Sequence, residues 1–150
     1  MQFVEMDDLG SKAIQIFERG WPSHVDSVLP DGSLLGARSD VVMGVPAGVQ
    51  IRPPGYEAWS RFERIELNVA EDVSSRYYAF LQGELGKPYD KTAIAAFPLR
   101  RDWRETGSWF CSELACAALE ASGFFPKPLG EDANHITPRD LLLIVSPWRT

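Results

Sequence analysis

The chain is short of the residues on which many small-protein frameworks depend. It has two cysteines and two histidines among 150 residues. Cys111 and Cys116 fall five apart in a segment of helical period, roughly 140° around an axis that turns roughly 100° per residue. They do not face each other, so no disulfide framework follows. Neither a CxxC nor an HxxxH pair occurs. His24 with Asp26 would give a metal two ligands and no evident third, so neither a metal nor another cofactor is expected. Basic residues are also scarce, 15 against 21 acidic, for a net charge of -6. That balance argues against a nucleic-acid surface. No apolar run approaches the roughly 20 residues of a membrane span, so stable membrane insertion is not expected. The first twenty residues lack the basic start and long apolar centre of a secretory signal, and the expectation is a chain that is cytoplasmic or leaves by a signal-independent route. Internal repeats and low-complexity segments are absent as well.

What is present suits one domain over residues 1–150, with 45% hydrophobic residues to form a core. Residues 2–6, 24–29, 33–38, 49–52 and 62–67 are short segments of strand character. Pro30-Asp31-Gly32 joins the second and third of them, so residues 23–38 predict a hairpin. Residues 11–19 predict a short helix, and residues 56–61 a helical turn. Over 70–85, Val73, Tyr77, Phe80 and Leu81 recur at helical spacing, with Glu71 and Asp72 in the first turn. Residues 91–97 suggest another short helix and 100–105 a solvated loop. Thr137-Pro138-Arg139-Asp140 reads as a turn leading into Leu141 to Val145, a continuous apolar run fit for a buried strand. The expected class is α+β, an antiparallel sheet packed against helices.

The segment 108–119 concentrates the chemistry. Leu114, Ala115, Ala118 and Leu119 follow Cys111 at +3, +4, +7 and +8, an apolar stripe of helical period headed by the thiol. Gly107 and Ser108 suggest the helix start and Gly123 its stop. A thiol in a first turn lies near unpaired N–H groups and the positive end of the helix dipole, which favours thiolate. A packed, inert cysteine is the competing reading. A nucleophile needs a base, and imidazole is the usual one. His24 shares a strand face with Asp26, which would orient the ring or hold its charge. His135 lies in a loop between Asn134 and Thr137.

The runs Ser23-His24-Val25, Asp31-Gly32, Leu35-Gly36-Ala37, Gly48-Val49, Gly86-Lys87-Pro88-Tyr89-Asp90, Phe110-Cys111-Ser112-Glu113-Leu114 and Ile136-Thr137-Pro138-Arg139-Asp140-Leu141, in that order, resemble the circularly permuted branch of the NlpC-type papain-like superfamily, typified by YiiX- and YebB-like proteins. The resemblance spans about residue 8 to about residue 145. It implies a permuted papain-like fold with Cys111 as nucleophile, His24 as base and Tyr89 near the oxyanion site. It also implies a cysteine hydrolase cleaving peptide or amide bonds through an acyl-enzyme, first of all in bacterial cell-wall peptides. A lipid acyl hydrolase or acyltransferase, or a non-catalytic binding module keeping the fold, are the alternatives. The chain departs from the family at the third polar residue, expected about twelve positions after the histidine, where it has Gly36. Asp26 or Gln50 would have to replace it, and a carboxylate is the better partner for an imidazolium.

Overall fold

Among the described residues, five short strands make one antiparallel sheet. They are β1 (Gln2–Val4), β2 (His24–Val28), β3 (Leu34–Arg38), β4 (Gly48–Arg52) and β5 (Phe62–Arg64), in the spatial order β4-β3-β2-β1-β5. Among the described residues, the helices α1 (Glu71–Gly83), α2 (Cys111–Ser122) and α3 (Pro138–Val145) join it. A computed structural model gives this fold for residues 1–6, 20–91 and 107–150. The helix expected at 11–19, most of that expected at 91–97 and the loop expected at 100–105 lie outside the described residues.

Strand alternation divides the sheet into two unlike faces. The register pairs Phe3 with Val25, Ser27 with Leu35, and Ala37 with Val49. Apart from Ser27, these side chains are apolar. They share one core with Tyr77 and Leu81 of α1, Cys111, Leu114 and Leu119 of α2, and Leu141 and Val145 of α3. Ser27 Oγ meets the Tyr77 hydroxyl at 2.5 Å, tying β2 to α1 on this side. The opposite face carries Gln2 and Val4, His24 and Asp26, Leu34, Gly36 and Arg38, and Gln50 and Arg52. Val4 and Leu34 are fully buried but do not belong to the helical core. Burial on both faces is what a sheet shows when it separates two packed layers.

The helices correct three expectations. Residues 137–145 are not a turn and strand: Pro138 to Val145 form α3, with Pro138 in its first turn. Thr137 Oγ1 accepts from Asp140 N at 3.1 Å and Asp140 Oδ2 accepts from Thr137 N at 3.3 Å, a capping box that starts a helix. Ser108 does not cap α2. Phe110 stands at its N-cap and offers no oxygen, while Glu113 Oε2 accepts from Phe110 N at 3.2 Å. Gly123 ends α2 with φ 76°, the left-handed conformation glycine adopts without penalty. Residues 56–61 form bends, not a helical turn.

Candidate functional site

Cys111 is the first helical residue of α2 and 1% exposed. Its position follows from a strap of backbone bonds. Val49 N donates to Lys87 O at 2.9 Å, Trp109 N to Pro88 O at 3.0 Å, and Asp90 N to Trp109 O at 3.0 Å. These bonds carry the chain from the Gly48 end of β4 to the tip of α2. Gly48 lies opposite Arg38, and continuing the β2–β3 register puts Arg38 opposite His24. The helix tip and His24 therefore stand at the same end of the sheet. They do not share a face: Cys111 belongs to the helical core, whereas His24 projects from the polar side of β2.

His24 is the first residue of β2 and nearly fully buried. Its Nε2 lies 3.0 Å from Asp26 Oδ1. That nitrogen makes no aligned hydrogen bond. Arg52 Nη2 donates to the same Asp26 oxygen. Burial by itself would raise the Asp26 carboxyl. His24 and Arg52 beside it, with Arg38 farther off, outweigh burial and hold it well below the usual carboxylate range. Asp26 is thus an ion at neutral pH, and its hold on Nε2 leaves Nδ1 as the ring nitrogen a thiol would use.

The structure also explains the glycine at position 36. A Cβ built there would overlap Asp26 Oδ1 and press on Arg52 Nη2. The space a β3 side chain would fill is occupied by a carboxylate from the neighbouring strand. Gln50, across β3 from Asp26, donates from Nε2 to Pro46 O at 3.3 Å, and its Oε1 has no partner. Sequence reasoning did not find Arg52, which joins the cluster through a register connecting residues 26 apart. A charged residue on the Gln50 face of a strand whose other face carries Val49 was the available signal. The guanidinium lies over the Tyr56 ring, 5.3 Å from its centroid. Arg38, on the same sheet face, is held by Asp40, Tyr56 and Glu57.

Tyr89 is buried beside the N-cap of α2, with its ring 5.8 Å from that of Phe110. His135 is exposed on a 3₁₀ turn (Ala133–His135), with Nδ1 3.3 Å from Glu131 Oε2, a surface pair. Cys116 is fully buried inside α2. Burial, then the negative charges of Glu120 and Glu113, push its thiol up to about 12. A cavity of about 420 Å³, lined in part by Val28, Tyr77, Tyr78, Leu119 and Phe124, opens at the opposite ends of β2 and α2 from His24 and Cys111. Among the described residues, no three His, Cys, Asp or Glu side chains converge as a metal site, and no helix is long and apolar enough to cross a membrane.

No protein-family model, curated protein or solved structure matches the chain.

Proposed function

We propose that the protein is a cysteine hydrolase of permuted papain-like type, acting on peptide or amide bonds and most directly on bacterial cell-wall peptides. The observation that carries this reading is the placement of Cys111 at the first position of α2, at the same end of the sheet as the buried His24–Asp26 pair. In the proposed reaction Cys111 Sγ gives its proton to His24 Nδ1 and attacks the carbonyl carbon. The oxyanion develops beside the first turn of α2, with Tyr89 on that side of the site. Collapse expels the amine, which takes the proton from His24 and leaves a thioester. Water attacks it with His24 as base, releasing the acid and restoring the thiol. Asp26 orients the ring and balances the imidazolium formed at each step. The chemistry requires the ring to reach the thiol around the start of β2.

That requirement also favours a second reading, a non-catalytic binding module, because the register sends His24 away from the face on which α2 packs. The pH dependence of Cys111 alkylation separates the two. An ordinary thiol, with pKa about 8.5, is only about 1% thiolate at pH 6.5. The hydrolase should react with iodoacetamide at Cys111 at pH 6.5 at least about tenfold faster than its His24→Ala variant. Cys116 should stay unmodified in the folded protein. A rate that rises only with an ordinary thiol titration, equal in both proteins, would rule out the hydrolase. Release of acid and amine from a cell-wall stem peptide, abolished in Cys111→Ala, tests the substrate class.

A further inference from the structure

Resting on the hydrolase reading, we propose that Arg52 and Gly36 are positioning residues. Together they move the third member of the catalytic group from β3 to β2, Gly36 by leaving the space open and Arg52 by fixing the Asp26 carboxylate in it. Neither is a catalytic residue, since each acts through Asp26 on His24.

Four observations converge. Continuing the β2–β3 register puts Asp26 opposite Gly36, and the β3–β4 pairing puts Gly36 opposite Gln50, so the three form one row across the sheet. A Cβ at 36 would fall on Asp26 Oδ1, so side chains at 26 and 36 compete for one space beside Arg52. Arg52, one position further along its face, donates to that oxygen from Nη2, and His24 Nε2 approaches it from the other side. Finally, Arg52 is 1% exposed and its Nε and Nη1 lack hydrogen-bond partners. A merely structural arginine would be expected to satisfy those donors. This one leaves them unmet while its remaining nitrogen secures Asp26. Tyr56 is the aromatic lid over the guanidinium, and Asp40 and Glu57 engage Arg38 instead. Asp26 is therefore the carboxylate bonded to Arg52.

Moving the carboxylate back provides the test. Asp26→Gly, Gly36→Asp and the double variant are compared with wild type, and Gly36→Ala and Arg52→Lys extend the set. In each, thermal melting establishes that the protein is folded, and alkylation of Cys111 is followed at pH 6.5 and pH 9. Asp26→Gly should lose about tenfold or more at pH 6.5 and change little at pH 9, the size expected when a base loses its orienting partner. The double variant should recover to within about threefold of wild type, because its carboxylate enters the same space from β3. Gly36→Ala retains every charge and only crowds Asp26, so it should show the pH 6.5 loss alone. Arg52→Lys retains the charge but loses the planar fork, and should fall between wild type and Asp26→Gly. A double variant no better than Asp26→Gly, or a Gly36→Ala protein that matches wild type at pH 6.5, overturns the positioning role while the hydrolase reading stands. Wild-type Cys111 that is no faster than an ordinary thiol at pH 6.5 overturns both.

Discussion

Asp26 holds the Arg52 guanidinium and the His24 ring on a single oxygen, while its other oxygen, Oδ2, has no hydrogen-bond partner. A carboxylate can remain ionised in so buried a place only because those neighbours outweigh its desolvation. The consequence for stability has a definite sign. Because the folded-state pKa is depressed, the stabilisation is fully present above the unfolded carboxyl value of about 3.9 and is lost as pH falls below it towards the folded value. Asp26→Asn should cost about 3–5 kcal/mol at pH 7, where it leaves Arg52 as a buried charge without its partner. The gap between wild type and variant should narrow by about 1 kcal/mol between pH 7 and pH 3. Urea denaturation at the two pH values measures both quantities, and a pH-independent gap would mean that the fold leaves the Asp26 carboxyl at its unfolded pKa. At this scale the sequence was half legible. His24 and Asp26 two apart on a strand must share a face. The Arg52 partnership depends on the β2–β3–β4 register, and the role of Gly36 lies in a side chain it does not have.

Elements were legible where one period dominated. The hairpin of β2 and β3 and the helix α1 followed from alternation and from helical recurrence, and both formed within a residue or two of the expected limits. Leu141 to Val145 has no period, since every residue is apolar, and such a run does not distinguish a buried strand from a buried helix. The decisive signal lay just upstream, in Thr137-Pro138-Arg139-Asp140, where a capping threonine, a proline at the first helical position and an acidic side chain at N3 specify a helix start. If that box defines α3, Thr137→Ala removes both hydrogen bonds of the hydroxyl to Asp140, leaving only that from Thr137 N, and should cost about 1 kcal/mol. Chemical denaturation reads the loss directly. A change below about 0.3 kcal/mol would place the start of α3 under the control of packing by Leu141 and Val145 instead, as the uncapped start of α1 at Ala70 must be.

Across the described residues the sheet has an apolar layer on one side and, on the other, a buried layer that adds charged groups to Val4 and Leu34, and the two sides answer to different physics. The helical side is held by the burial of side chains such as Leu114, Leu119 and Leu141, a term that hardly depends on pH. The other side is held by charges that compensate one another, where a small displacement is costly and removal of one partner leaves the other stranded. This division was only partly legible. The sequence put His24 and Asp26 on one strand face, but polar residues on a strand ordinarily mark a solvated face, and here His24, Asp26, Gln50 and Arg52 are all buried. Since the sheet stands between the layers, substitutions on either side should act independently. Leu114→Ala leaves a cavity within α2's core contacts and should cost about 3 kcal/mol, equally at pH 7 and pH 5. Arg52→Lys disturbs only the ionic layer. Combined, their costs should add to within about 0.5 kcal/mol, the behaviour of sites that share no partner. Denaturation of the two single variants and the double variant measures the coupling. A coupling above about 1 kcal/mol would show that the layers are packed as one unit, so that a change at Arg52 reaches α2, and with it Cys111, through the sheet itself.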